Sequence, residues 1–401
     1  MASKTIGELC VRVCSGGTPK SGNADYYEGG VIPWLNTREV NFNRIRTTEG
    51  FITEAGLEAS SAKWIRPNAV VVAMYGATAG RCAITKIPLT TNQACCNLEI
   101  NDEVADYHYV YYWLMTHYSQ VAGMVNGGAQ QNLNARQIRE LKIELPELNY
   151  QRRVAEFLSS LDAKIDLNQQ SNDYLAAMAE GIFENWLISA EGDPVPLSHI
   201  ASFNPSTYAT REKWPTVVYV DTGSVTRNHF EDPIFIDTAT EKLPSRARRK
   251  VENGDVVYST VRPNQLHYGL VNNPPSNMLV STGFTVVRDK AGVGGPFVYL
   301  ALTRPSITAM LQSVAEQSTS AYPSIKSSDL GQIEIPEPTK EELDEIKPQL
   351  DSLFELIAQN ERESRALGEL RDTLLPRLMS GEIDVSQIRL PMQPNNHLSV
   401  D

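Results

Sequence analysis

The chain has 401 residues, 41% of them hydrophobic and 21% charged, with a formal net charge of −12. That length holds two or three domains, and no apolar run reaches the roughly 18 residues that a membrane span needs. Five cysteines without paired spacing and six histidines without ligand spacing supply neither a disulfide framework nor a metal site.

The N-terminus "MASKTIGELC" lacks a secretory pattern, so a cytoplasmic location is expected. The negative charge is unevenly placed. Residues 1–145 carry 13 basic and 13 acidic side chains, and 195–336 carry 13 and 12. The excess lies in 146–194, with 3 against 9, and in 337–378, with 6 against 11. Global acidity therefore says little about what the globular parts bind.

In chain order, "CSGGTPKSGNADYYEGGVIPWLNTREVN" (14–41) is dense in Gly, Pro and Asn and predicts short strands joined by tight turns. "AVVVAMYG" (69–76) reads as a buried strand, and "DYHYVYYWLMTHYSQVAG" (106–123) has the aromatic spacing of a helix that faces a core. From Pro146 a long helix is predicted. Val154, Leu158, Leu161, Ile165, Asn168, Asn172, Leu175, Ala179, Ile182 and Trp186 step by four and three, the seam of a coiled coil.

The pattern then repeats. A shift of 192 residues sets Ile138, Leu141, Ile143 and Pro146 on Leu330, Ile333, Ile335 and Pro338. "RPNAVVVAMYG" (66–76) answers "ENGDVVYSTVR" (252–262), and "TTNQACCNLEI" (90–100) answers "LVSTGFTVVRD" (279–289). The second helix repeats the seam at Ile346, Leu350, Leu353, Ile357, Asn360, Ser364, Leu367, Arg371, Leu374 and Leu378. So long a period marks a duplicated domain. Asn168 and Asn172 in one seam and Asn360 and Ser364 in the other are expected to fix the register of an antiparallel pair, a rod of roughly 60 Å.

The fold class expected is thus α/β (α+β): two copies of a mixed domain, separated by two long antiparallel coiled-coil helices in a pseudo-twofold internal repeat. The boundaries are 1–145 and 191–336 for the domains, 146–190 and 337–385 for the helices, and a flexible tail at 386–401.

Polar loops supply candidate DNA contacts, since Arg, Lys, Asn, Gln, Ser and Thr bond phosphates and base edges. In the first domain they are Lys20, Asn36, Thr37, Arg38, Asn41, Arg44, Arg46, Tyr75, Arg81, Asn92, Gln93, Gln130, Gln131 and Asn132. In the second they are Thr222, Ser224, Arg227, Asn228, Arg262, Asn264, Gln265, Ser320, Tyr322 and Lys326. To these is added the densest basic run, Arg246, Arg248, Arg249 and Lys250, read as a loop. No catalytic constellation is found. Asn273-Pro274-Pro275 has Ser276 where an adenine-gripping loop would carry an aromatic residue, and "GGTPKSG" (16–22) lacks the spacing of a phosphate loop.

"GGTPKSGNADYYEGGVIPWLNTREVN" resembles the opening motif of target-recognition domains in the specificity subunits of type I restriction–modification systems. "IELPELNYQRRVAEFLSSLDAKI" is similar to their helix entry, and "GIFENWL" (181–187) and "LLPRLMSGEIDV" (374–385) to the ends of their two helices. The resemblance spans nearly the whole chain. It implies two target-recognition domains that read the halves of an asymmetric bipartite site in double-stranded DNA, with the helices setting the spacer. It also implies docking of two modification (adenine-N6 methyltransferase) subunits and a link to restriction (translocase/nuclease) subunits. The chain would be non-catalytic and hold no cofactor or metal; S-adenosylmethionine, ATP and Mg2+ would belong to the partners. The competing readings are a stand-alone methyltransferase and a coiled-coil scaffold that binds no DNA.

Overall fold

The computed structural model describes residues 2–126, 133–209, 211–317 and 323–385; the tail 386–401 lies outside them. The chain packs as two compact units, residues 1–166 with 364–401 and residues 167–363. Each unit therefore joins one globular part to a portion of both long helices.

The first unit contains β1 (Cys10–Ser15), β2 (Ile32–Leu35), β3 (Asn43–Ile45), β4 (Gly50–Ile52), β5 (Val70–Ala73), β6 (Cys82–Thr85), β7 (Thr90–Thr91) and β8 (Cys95–Ile100). They form a five-stranded sheet in the order β1-β8-β5-β6-β3 and a three-stranded sheet in the order β4-β2-β7. The apolar run of β5 is buried on both faces, as its composition demands. Val70 and Val72 pack with Tyr109, Tyr111 and Tyr112 of the helix Tyr107–Thr116. Val71 and Ala73 pack on the other side with Leu35, Val40 and Ile65.

The second unit contains β9 (Ala201–Phe203), β10 (Thr216–Val220), β11 (Ile234–Asp237), β12 (Ala247–Lys250), β13 (Val256–Ser259), β14 (Tyr268–Leu270), β15 (Met278–Ser281) and β16 (Phe284–Asp289). Its sheets run β9-β16-β13-β14 and β11-β10-β15-β12. The order β1-β8-β5-β6 recurs as β9-β16-β13-β14, and β4-β2-β7 recurs as β11-β10-β15. The parallel pairing of β2 with β7 likewise returns as β10 with β15. The duplication read from the sequence is a duplication of topology. The copies differ at their margins: β3 adds in parallel to β6 in the first, and β12 adds to β15 in the second.

The long helices span Leu148–Ser189 and Lys340–Met379. The second opens on a reciprocal cap, in which the Glu342 N–H donates to Thr339 Oγ1 at 3.2 Å and the Thr339 N–H donates to Glu342 Oε2 at 2.7 Å. Within each unit the two helices run antiparallel. In the first, the Tyr150 hydroxyl donates to the Leu378 carbonyl at 2.9 Å. In the second, Asn168 Nδ2 donates to Glu363 Oε2 at 2.9 Å and to the Asn360 carbonyl at 3.3 Å. Asn360 Nδ2 in turn donates to Asn172 Oδ1 at 2.8 Å. Polar seam residues that satisfy one another only at one offset select that register. Ser364 is half-buried in the seam.

One seam-side residue was not visible as a period. Asp162 is 3% exposed and meets Arg44 at 3.0 Å and Arg371 at 2.8 Å, and the Tyr112 hydroxyl donates to it. The shift of 192 residues carries Asp162 to Phe354 and Arg371 back to Ala179. Both are buried, and Phe354 stacks edge-on against Tyr299 at 5.3 Å. The two copies thus fasten the same joint by different chemistry, charge in one and aromatic packing in the other.

His108 lies near this joint, and burial, reinforced by the Lys86 and Arg44 cations, lowers its pKa from 6.5 to about 3. Between those values the unfolded chain carries a proton that the folded one refuses. Stability is therefore full above pH 6.5 and is lost as pH falls through the window. A slope of about 1.4 kcal/mol per pH unit is expected from this group. Urea midpoints recorded from pH 7 to pH 4 should show it, with a shallower slope for His108→Gln.

Candidate nucleic-acid interface

In the first unit four loops converge through side-chain bonds. Thr18 Oγ1 donates to Gln93, and Asn92 Nδ2 reaches Asn36 Oδ1 at 3.4 Å. Thr78 Oγ1 donates to the Thr37 carbonyl at 2.6 Å, and Arg81 Nη1 donates to Asn41 Oδ1 at 2.5 Å. The glycines of "SGGTP" make this approach possible. A Cβ on Gly16 would stand 2.0 Å from the Thr91 carbonyl oxygen, and one on Gly17 2.3 Å from the Ala62 nitrogen. No side chain fits there, so the backbone itself packs against β7. Lys20, Arg38, Asn41 and Gln93 are exposed on this cluster, while Asn36, Thr37, Tyr75 and Arg81 are half-buried.

Several expected contacts have other partners. Arg44 is not on a free loop: it lies in β3 and its side chain is only 8% exposed, held by Asp162. A buried arginine keeps its counter-charge because desolvating it alone is costly. Arg46 pairs with Asp166 at 3.1 Å, and Arg38 pairs with Glu49 at 2.7 Å with both side chains largely exposed. Asn92 is buried and caps a turn by accepting from the Ala94 N–H at 3.1 Å. Gln130, Gln131 and Asn132 lie outside the described residues, as do Ser320 and Tyr322.

In the second unit the basic run is a strand, β12, with a bulge between Ala247 and Arg249. Its cations turn toward the segment before β10. Arg248 Nη1 donates to the Tyr208 carbonyl at 3.3 Å, Arg249 Nη1 to Thr207 Oγ1 at 3.4 Å, and Lys250 Nζ to Glu212 at 2.5 Å. Arg246 remains exposed beside Asp221. Burial pushes the Asp221 carboxyl up, but the Thr222 N–H, the Tyr219 and Ser281 hydroxyls and Arg246 outweigh it and hold it below the usual carboxylate range.

The remaining loops of this unit converge as in the first. The Arg227 N–H donates to the Leu266 carbonyl at 2.9 Å, and the Arg262 N–H to the Pro323 carbonyl at 3.0 Å. Arg227, Asn228, Arg262 and Leu266 all adopt left-handed backbone, with φ of 47°, 67°, 47° and 58°. Such conformations persist in non-glycine residues only where surrounding bonds over-determine them. Arg227, Asn228 and Asn264 line a cleft of about 660 Å³ floored by Tyr268, Tyr299 and Phe354. Thr222 and Ser224 are half-buried in the short turn after β10, and Arg262, Gln265 and Lys326 are exposed. The Asn-Pro-Pro segment is a turn, with Asn273 at φ 44° and its N–H donating to Asn253 Oδ1. Sequence reasoning missed Thr18 and Thr78, which link the loops. The glycines at 76 and 80, both at positive φ, were the available signal for the second.

Residues 1–177 match the family model of the type I restriction modification DNA specificity domain. Over 417 aligned residues the chain is 26% identical to the type I restriction enzyme MjaIX specificity subunit of Methanocaldococcus jannaschii, covering 96% of this chain and 93% of that one. The chain is thus similar, over nearly its full length, to type I restriction enzyme specificity subunits. A second relative is the HindI specificity subunit of Haemophilus influenzae, 28% identical over 182 residues, 45% of this chain and 38% of that one. The crystal structure of the type I system S subunit from M. genitalium shares the fold, with a TM-score of 0.58 at 16% identity over 94% of this chain and 95% of that one. Among the described residues this chain has no helix long and apolar enough to cross a membrane. The described residues also contain no group of three or more His, Cys, Asp or Glu able to hold a metal ion.

Proposed function

We propose that this chain is the DNA sequence-recognition subunit of a type I restriction–modification complex and performs no chemistry itself. The observation that carries the reading is a pair of convergent polar loop clusters, built at the same places in one repeated topology from unlike side chains. One topology presents each cluster to DNA; unlike residues let each read a different half of an asymmetric site. The helices would set the spacer and, together with adjoining surfaces, dock two modification subunits, and restriction subunits would join that assembly in the cytoplasm. S-adenosylmethionine, ATP and Mg2+ belong to those partners. Helix docking is supported by an exposed apolar stripe on the first long helix, Leu167, Tyr174, Met178 and Ile188, on a stretch (167–193) with five acids and no Lys or Arg.

Mapping N6-methyladenine across a genome that expresses this chain with a cognate modification subunit tests the reading. Methylation at one bipartite sequence, lost when this gene is removed, is the expected result. Methyl transfer by the purified chain alone would establish the stand-alone enzyme instead.

A further inference from the structure

We infer that β4 and β11 carry a matched pair of apolar docking surfaces, one on each unit, that seat two copies of one basic-rimmed protein partner. Resting on the recognition reading, we take that partner to be the modification subunit. The two strands are equivalent by register. Phe51 of β4 stands opposite Pro33 of β2, and Phe235 of β11 stands opposite Val218 of β10. In each case the next two residues of the middle strand pair in parallel with β7 or β15: Trp34 with Thr90 and Leu35 with Thr91, Tyr219 with Leu279 and Val220 with Val280. Each strand is the last of its sheet.

Both equivalent phenylalanines face outward. Phe51 is 40% exposed and Phe235 73%; Val31, just before β2, is 77% exposed, and Ile234, on the opposite face of β11 from Phe235, is 52% exposed. Their strand neighbours Ile52 and Ile236 are buried at 0% and 4%, so the strands are held by the core and the aromatic rings are surplus to it. An outward apolar ring on a terminal strand is a liability unless a partner covers it.

Charge at these edges favours a basic partner over DNA, although the exposed Arg46, Lys63 and Lys242 border the two acidic stretches. Residues 47–62 contain Glu49, Glu54 and Glu58, and 229–241 contain Glu231, Asp232, Asp237 and Glu241; neither stretch has a Lys or Arg. Arg38 reaches the first rim through Glu49 and leaves Glu54 and Glu58 acidic. A phosphate backbone is repelled by such a rim, whereas a protein with apolar residues ringed by Lys and Arg fits it. The repetition decides the occupant. The reading loops differ between the copies because the half-sites differ, so an outward feature kept in both serves a ligand common to both.

The test uses the full chain with a cognate modification subunit, comparing wild type with Phe51→Ser, Phe235→Ser and the double variant. Subunit stoichiometry by native mass spectrometry and affinity by titration are read without DNA. Each single variant is expected to weaken one of the two sites by about 10- to 100-fold, the equivalent of burying a phenylalanine, and the double variant both. Thermal midpoints should stay at the wild-type value, and Glu54→Lys with Asp237→Lys should weaken both sites while leaving the rings in place. Two subunits bound with wild-type affinity by the double variant would overturn the inference, as would a wild-type chain that binds none. Methylation mapping is the separate arm: loss of sequence preference in a fully assembled wild-type complex overturns the recognition reading and leaves the docking surface standing.

Discussion

Asp162→Ala is expected to destabilise the unit formed by residues 1–166 and 364–401 by about 3–5 kcal/mol, the range for breaking a buried ion pair from one side. The Asp162 side chain is 4% exposed, and those of Arg44 and Arg371 are 8% and 17%. Arg371 keeps Asp372 at 2.8 Å, so the loss falls mainly on Arg44, left with the Tyr112 hydroxyl and no carboxylate. Asp162→Asn, which keeps the shape and some hydrogen bonding, should cost less, and Asp162→Ala with Arg44→Met should recover part of the loss. Urea unfolding followed through Trp113, which belongs to the same core, reports on this unit. An unchanged midpoint for Asp162→Ala would show that the joint is held by apolar packing alone. The aromatic counterpart at Phe354 offers a direct comparison, since its truncation removes packing and strands no charge.

On the proposed function, exchanging residues 1–145 for the equivalent domain of a type I specificity subunit should replace one half of the methylated sequence and leave the other half unchanged. The reason lies in how each domain is closed. The cluster Thr18–Gln93, Asn36–Asn92, Thr37–Thr78 and Asn41–Arg81 is completed inside the first unit. The cluster around Arg227, Arg262 and Leu266 is completed inside the second. Discrimination by a good bidentate contact is worth about 1–3 kcal/mol per base pair, so a new loop set retargets its half-site decisively. Methylation maps of the chimera and the parent decide it. A change in the second half-site would mean that the domains do not read independently.

Much of this was legible along the chain because it depends on near neighbours. A step of four and three repeated nine times specifies a helix seam whatever surrounds it, and β-branched runs such as 70–72 and 256–257 specify buried strands. The duplication was legible for the same reason: two copies of a local pattern stay similar even where they pack differently. The loops could be located from their Gly, Pro and Asn content, but not the fate of their charges. Arg44 and Arg227 look alike as residues in turn-rich segments. One is claimed by a carboxylate 118 positions away, and the other is exposed beside a cleft.

The sequence by itself determined the helices, the two-copy plan and the acidic character of the rods, all carried by periodicity and composition, and its short motifs carried the resemblance to specificity subunits. Tertiary structure alone decided which cations remain available to a ligand and that β12 is a strand. It also placed an ion cluster at one joint and an aromatic pair at its counterpart, and set Phe51 and Phe235 at one topological address. Burial and ion pairing depend on partners distant in the chain, and a desolvated charge is tolerable only where folding brings its counter-charge within reach.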